Sequence, residues 1–437
     1  MVRVQLSEES ILREYPVDQI RPISAQSTLQ DEPCYHTVKF YRNAMDELGV
    51  KPEHIQQLSD ARHLPYTKKE HLRENYPFGL FAVPTEQVVR IHASSGTTGK
   101  PTVVGYTKRD IRTWGQLVAR CLAASGLHPG DRLHNAYGYG LFTGGLGLHY
   151  GGEELGVMVT PMSGGQTQKQ LMLLQDFAPT AISCTPSYAL NLAEAAEEMG
   201  LNIRKLPLKV GIHGAEPWTE EMRYELESRL GIDCVDIYGL SEVMGPGVGN
   251  ECIEAKNGLH IWEDHFLVEC VDTTTGKPVP YGEEGEIVFT SLTKEAFPII
   301  RYRTRDISVL DKAPCKCGRT HVRMQRITGR SDDMLIIRGV NVYPTQVEAV
   351  LMQSETLSPF YQIELFREGS MDTMVVNVEG SPPLMEQPQE ARDRTAAKVV
   401  RDIKDFIGVS CKVVIKDVGE VPRSEGKAVR VIDHRKK

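Results

Sequence analysis

The sequence predicts an α/β protein: a large N-terminal domain with a mostly parallel sheet and a β subdomain, then a small, mobile α+β domain at the C-terminus. Three observations carry this. The chain has 437 residues, 41% of them hydrophobic and 25% charged, which is more than one hydrophobic core usually serves. Between Val88 and Gly239, short apolar runs alternate with helix-length amphipathic stretches, the pattern of βαβ units. From about Leu259 the texture turns to strands and tight turns, and beyond Arg330 to a short mixed segment. The expected division is therefore 1–330, with the β subdomain at about 259–328, and 331–437 as a lid.

The first thirty-odd residues are polar and specify little. A helix is expected from Tyr35 to Leu48, where Phe40, Tyr41, Met45 and Leu48 recur at helical spacing. Val88–Ala93 and Val103–Tyr106 read as strands flanking a glycine-rich run, and Thr107–Ala124 as a helix with Ile111, Trp114, Leu117, Val118 and Leu122 on one face. Strands follow at Leu133–Tyr137, Val157–Thr160, Ala181–Cys184, Val210–His213 and Cys234–Tyr238. Helices near Gln168–Phe177, Tyr188–Met199 and Glu220–Leu230 separate them. The β segment should hold strands Ile261–Val271, Gly285–Ser291 and Ile299–Leu310. The lid should hold strands Tyr361–Phe366, Thr373–Val378 and Cys411–Ile415 with a helix Glu390–Ile407.

A net charge of −8 argues against nucleic acid or an acidic membrane as a general partner. An anionic ligand would need a local site. The N-terminus has no apolar stretch of signal-peptide length, and no run is long enough to span a bilayer. Nine cysteines, mostly scattered in apolar runs, suit a reducing cytosol. The expected location is cytoplasmic.

The run Ser94-Ser95-Gly96-Thr97-Thr98-Gly99-Lys100-Pro101-Thr102 combines bare backbone N–H groups, neighbouring hydroxyls and a mobile charge, the ingredients of an anion nest. It is not a P-loop. Only two residues separate Gly96 from Gly99, and Pro101 follows the lysine where a Ser or Thr is needed. In a parallel sheet, ligands sit beyond the carboxyl ends of the strands. Three polar clusters fall there: Tyr137-Gly138-Tyr139-Gly140, His213-Gly214-Ala215-Glu216 and Tyr238-Gly239-Leu240-Ser241-Glu242.

The glycine-rich run resembles the phosphate-binding loop of the adenylate-forming superfamily. The stretch from Asn75-Tyr76-Pro77-Phe78-Gly79 to Gly105-Tyr106-Thr107 resembles the phenylacetate–CoA ligase family in particular. The resemblance runs from Tyr35 to the C-terminus and implies that Ser94, Ser95, Gly96, Thr97, Thr98, Gly99 and Lys100 hold the phosphates of ATP. It further implies that Ala215, Glu216, Asp236, Tyr238, Gly239 and Ser241 line the nucleotide and that Glu242 holds Mg²⁺. An acidic group suits ribose hydroxyls, and Asp306 of Tyr302-Arg303-Thr304-Arg305-Asp306 is given that role, with Arg330 helping. Asp332 would be the hinge of a lid that alternates between two poses, and Gly339 would admit the pantetheine arm of CoA. Lys427, in Pro422-Arg423-Ser424-Glu425-Gly426-Lys427, would stabilise the adenylation transition state. Tyr137, Phe142, Ala215 and Ile237 are the expected walls of the acyl pocket.

Cys315-Lys316-Cys317-Gly318 puts two thiols around a tight turn, and Cys252 and His260 open the β segment. Three thiolates and one imidazole make a closed, structural zinc site, with His321 and His265 as rival ligands. The expected function is an AMP-forming aryl-acid–CoA ligase using ATP, CoA and Mg²⁺, in a chain that could pair as a homodimer. The acid could instead be indoleacetate or a hydroxy- or aminobenzoate, and the acceptor a carrier-protein thiol. A nucleotide-binding protein without turnover is the alternative from outside the enzymes.

Overall fold

A computed structural model of the chain describes residues 31–94, 101–331, 334–337, 340–368 and 371–435. Its architecture is a large mixed parallel and antiparallel sheet with flanking helices, plus a smaller α+β domain at the C-terminus. By contact density the chain falls into two compact units. The described residues up to 161, with 235–304 and 309–325, form one; 162–234, 305–308 and 326 onward form the other.

In the first unit, Arg90–Ser94 and Thr102–Tyr106 pair as an antiparallel hairpin whose last register pair is Ser94 with Thr102. The glycine-rich run therefore joins two strands of a hairpin rather than opening a helix, which agrees with rejecting the P-loop. Residues 95–100 themselves lie outside the described set. Arg132–Asn135 and Met158–Thr160 pair in parallel, while Asp233–Leu240, Gly245–Asn250 and Leu259–Ile261 run antiparallel in turn.

The helix Lys108–Ala124 starts at a reciprocal cap. The Thr107 hydroxyl accepts from the Asp110 N–H at 3.1 Å, and the Asp110 carboxylate accepts from the Thr107 N–H at 2.8 Å. Asp110 is fully buried and accepts two further N–H groups, from Glu295 at 2.7 Å and Ala296 at 2.9 Å. One carboxylate thus caps a helix and pins a distant loop.

In the second unit, Ala181–Cys184 and Val210–Gly214 are parallel and flanked by helices Thr167–Phe177, Pro186–Glu198 and Glu220–Leu230. The C-terminal part is a four-stranded sheet in the order Lys412–Lys416, Met371–Gly380, Leu357–Glu368, Val431–Asp433. Helices Pro344–Met352 and Gln389–Ile407 cover it, burying Val347, Leu351, Ile363, Val376 and Ile403 in one core. The three strands and the long helix expected in the C-terminal segment are all present.

Four local departures have physical causes. The expected helix 35–48 is two helices, Asp31–Thr37 and Lys39–Glu47, because Val38 takes an extended conformation and is fully buried. The expected strand Ile261–Val271 breaks at a turn in which the His265 and Phe266 N–H groups return to the Trp262 carbonyl, with Asp264 held by Arg120 at 2.8 Å. The strand expected from Ile299 begins at Tyr302, since Arg301 has φ 41°, held there by Glu269 and by the carbonyls of Arg62 and Leu64. A helix, Gly144–Leu155, forms where glycines left no readable period.

That helix packs closely enough to need its glycines. A Cβ at Gly151 would lie 2.4 Å from Val118 Cγ1, whereas one at Gly115 on the facing helix would meet nothing nearer than 3.7 Å. Gly151→Ala is expected to destabilise by about 1–3 kcal/mol through overpacking, despite alanine's better helix propensity. Gly115→Ala is expected to be neutral or stabilising by up to about 1 kcal/mol. Urea unfolding of both variants checks this; equal effects contradict it.

Candidate functional site

The strand Asp233–Leu240 delivers the first group of residues. Tyr238 is buried and stacks on Phe289, with ring centroids 5.9 Å apart. The register slips between Tyr238 and Gly239, and a Cβ on Gly239 would fall 1.9 Å from the Gly245 carbonyl oxygen, so only glycine lets the returning strand pass. This bulge directs Ser241 and Glu242 away from the strand. Ser241 Oγ lies 3.0 Å from Thr143 Oγ1, and both Ser241 and Glu242 are largely buried. The Asp236 N–H donates to Glu251 Oε2 at 2.8 Å. Tyr137 and Ile237 are buried, while Phe142 is 37% exposed beside the start of the Gly144–Leu155 helix. Tyr137, Phe142 and Ile237 therefore offer apolar surface of both kinds, packed and open.

Next to this group is a residue the sequence reading missed. Lys294 is fully buried and its ammonium finds no hydrogen-bond partner among the described residues. It sits 4.2 Å from the centroid of Tyr106, which stacks on Trp114 at 5.2 Å. Burial lowers its pKa to about 8, against the pull of Asp110 and Glu242, which favour the charged form. The only hint in the sequence is a lysine within Leu292-Thr293-Lys294-Glu295-Ala296-Phe297.

In the second unit, the strand Val210–Gly214 ends at Ala215, whose φ of 70° is unusual for a residue with a Cβ. Glu216 then spends both carboxylate oxygens. Oε1 accepts the Ser187 N–H at 2.8 Å and the Ser187 hydroxyl, and Oε2 accepts the Ala428 N–H at 2.8 Å. The Thr185 hydroxyl donates to the Gly426 carbonyl at 2.8 Å. The residues on either side of Lys427 are thus both tied down. Asp306 and Arg330 are register partners, with Nη1 and Oδ1 3.0 Å apart and Asp306 largely buried. Asp332 and Gly339 lie outside the described residues, as do Ser95 to Lys100; Ser94 closes its strand.

Cys252, His260, Cys315 and Cys317 converge, each offering a ligand atom within 4.8 Å of the others. Cys252 Sγ is 3.6 Å from Cys315 Sγ, and Cys317 Sγ is 3.4 Å from His260 Nε2. The turn is closed by the Gly318 N–H on the Cys315 carbonyl at 3.0 Å, with Gly318 at φ 82°. Burial drives His260 down to about 3, so the imidazole is neutral at pH 7, and its Nδ1 is buried with no hydrogen-bond partner among the described residues. Burial and the two facing thiols push Cys252 well up. At Cys315 burial acts the same way, but the Cys317 N–H and the neighbouring thiols outweigh it and hold the thiol below its usual range. The rival histidines are occupied elsewhere. His321 faces Glu263 and the edge of Trp262, and His265 Nδ1 is 2.7 Å from Thr293 Oγ1.

Among the described residues, no helix is long and apolar enough to cross a membrane. Residues 32–293 match the family described as AMP-binding enzyme, and residues 339–435 match the AMP-binding enzyme C-terminal domain. A phenylacetate-coenzyme A ligase of Thermus thermophilus is 55% identical over 415 residues, covering 92% of this chain and 93% of that one. The Escherichia coli phenylacetate-coenzyme A ligase is 54% identical, with 96% of each chain covered. Among solved structures, 2-hydroxyisobutyryl-CoA ligase is 30% identical, over 92% of this chain and 87% of that one. It matches with a TM-score of 0.88 in its postadenylation state with 2-HIB-AMP, and 0.68 in its thioesterification state with 2-HIB-AMP and CoA.

Proposed function

The chain belongs to the AMP-binding enzyme family of adenylate-forming acyl-CoA ligases, and from that membership we propose that it is an AMP-forming aryl-acid–CoA ligase whose acid is phenylacetate. The observation that carries the reading is 54–56% identity over 92–96% of the chain with phenylacetate-coenzyme A ligases. ATP and the acid form an acyl-adenylate with loss of pyrophosphate, and the CoA thiolate then attacks the acyl carbon and expels AMP. No side-chain nucleophile is needed. The work is positioning and charge stabilisation.

The residues divide that work by chemistry. The hydroxyls and N–H groups from Ser94 to Gly99, with Lys100, receive the phosphates. Tyr238 presents an aromatic face to adenine, Asp236 and the backbone around Ala215, Glu216 and Gly239 border the base, and Ser241 bonds a phosphate oxygen. Asp306 accepts from ribose hydroxyls while Arg330, already 3.0 Å away, fixes its rotamer. Glu242 would hold Mg²⁺, which when bound offsets phosphate charge. Lys427 meets the charge that builds as the carboxylate attacks the α-phosphate. Tyr137, Phe142, Ala215 and Ile237 border the aryl group. The lid is taken to begin near Arg330, to turn at Asp332, and to bring Gly339 to the pantetheine arm for the second half-reaction.

Cys252, His260, Cys315 and Cys317 suit a structural zinc ion. Three sulfurs and one neutral imidazole nitrogen are donors that zinc favours, in the number a closed tetrahedral site requires. Zinc would cross-link the strand Leu259–Ile261 to the turn at Cys315–Cys317.

Two measurements follow. Lys427→Ala is expected to slow acyl-adenylate formation by roughly 10²–10³-fold, the size of losing one preorganised charge, and to leave CoA transfer from supplied acyl-AMP far less affected. Equal losses in the two half-reactions contradict the assignment. Elemental analysis is expected to find about one zinc per chain, as a closed four-ligand site holds, lost in Cys315→Ser; metal-free wild-type protein contradicts the zinc site.

A further inference from the structure

Arg423 lies four residues before Lys427, and its guanidinium is fully committed. A guanidinium has five N–H donors, and five contacts are present. Nε and Nη2 reach the two oxygens of Glu194 at 2.5 Å each. Nη1 and Nη2 reach the two oxygens of Glu379 at 2.6 and 2.9 Å, and Nη1 also donates to the Val421 carbonyl at 2.8 Å. Its plane covers Phe360, with Cζ 3.5 Å from the ring centroid.

These partners are of two kinds. Glu379 is fully buried in the strand Met371–Gly380 and also accepts the Val421 N–H at 2.8 Å; with Phe360 and Val421 it belongs to the C-terminal sheet domain. Glu194 sits on the helix Pro186–Glu198, far upstream in the chain, and is only 19% exposed. That same helix and the residue capping it carry two further anchors of the loop. Asn191 Nδ2 donates to the Ser424 carbonyl at 3.2 Å, and Thr185 donates to the Gly426 carbonyl at 2.8 Å. The segment from Arg423 to Gly426 is therefore moored to one helix and its cap, while Glu216 holds Ala428 beyond it, and the bidentate charged mooring is the pair of Glu194 with Arg423.

We propose that Glu194 is a positioning residue for adenylation: it is the stationary half of a carboxylate–guanidinium clamp that seats the Lys427 loop and lets go when the lid turns to form the thioester. Arg423 travels with the lid, still satisfied by Glu379, so release leaves the cation paired. Glu194 is already 19% exposed while Arg423 covers it, so release leaves its carboxylate open to water. The clamp thus favours one pose without stranding a buried charge in the other, as a reversible switch requires. The inference rests on the reading of Lys427 as the adenylation lysine and of the lid as a two-pose element.

The test uses the whole enzyme and measures two half-reactions: pyrophosphate release with phenylacetate and ATP but no CoA, and thioester formation from supplied phenylacetyl-AMP and CoA. Glu194→Gln is expected to lower the kcat of the first by roughly tenfold, within the range typical of coupling between sites, with KM for ATP and acid nearly unchanged. The second half-reaction is expected to be unchanged or faster, which also reports that the protein is folded. Glu194→Lys, which sets a cation against Arg423, is expected to lower adenylation further. If wild-type enzyme is active and Glu194→Gln slows both half-reactions alike, or neither, the clamp is overturned while the ligase assignment stands. If wild-type enzyme releases no pyrophosphate with any aromatic acid, the assignment itself falls and the clamp with it.

Discussion

In the proposed role, the charge of Lys427 must arrive at one place, and the backbone on its two sides is held by hydrogen bonds. Glu216 and Thr185 hold the peptide groups on its two sides, through the Ala428 N–H and the Gly426 carbonyl. A hydrogen bond to a carboxylate is worth about 1.5–3 kcal/mol and a neutral one about 1, so together they can order a short loop against its conformational entropy. Glu216 extends the arrangement by also bonding the N–H and hydroxyl of Ser187. The turn after the strand Val210–Gly214, the start of the helix Pro186–Glu198 and the C-terminal loop are thus held by one side chain.

The first unit uses the same economy elsewhere. Asp110 caps one helix and pins the loop at Glu295 and Ala296. That pinning inserts Lys294 over Tyr106, close enough to Glu242 for the carboxylate to favour the ammonium's charge. A buried ammonium without hydrogen bonds is costly, and here it is offset by an aromatic face and by two nearby carboxylates. Glycine does comparable work by having no side chain. Gly239 lets the return strand cross the bulge that sets Ser241 and Glu242, and Gly151 lets two helices touch along Val118.

Much of this was legible in the sequence, for reasons that can be named. Amphipathic period gave the helix Lys108–Ala124 and the lid helix Gln389–Ile407, because each buries one face only. Short apolar runs gave the strands Ala181–Cys184 and Val210–Gly214, because they are buried on both faces. The thiol–imidazole set was legible from ligand chemistry, and the structure selects His260 over His321 and His265 by what surrounds them. Elements defined by close approach were not legible. The helix Gly144–Leu155 and the strand Gly245–Asn250 are built from residues that read as loop, and only their neighbours explain them. Partners distant in sequence were equally silent: nothing near Glu194 or Lys294 announces Arg423 or Tyr106.

The most direct test of the account is isotope exchange between pyrophosphate and ATP with purified protein, magnesium and phenylacetate, before any CoA is added. The account predicts exchange that depends on the acid, and AMP and phenylacetyl-CoA once CoA is supplied. Cleavage of ATP to ADP and phosphate, or exchange that proceeds equally without any acid, would contradict it.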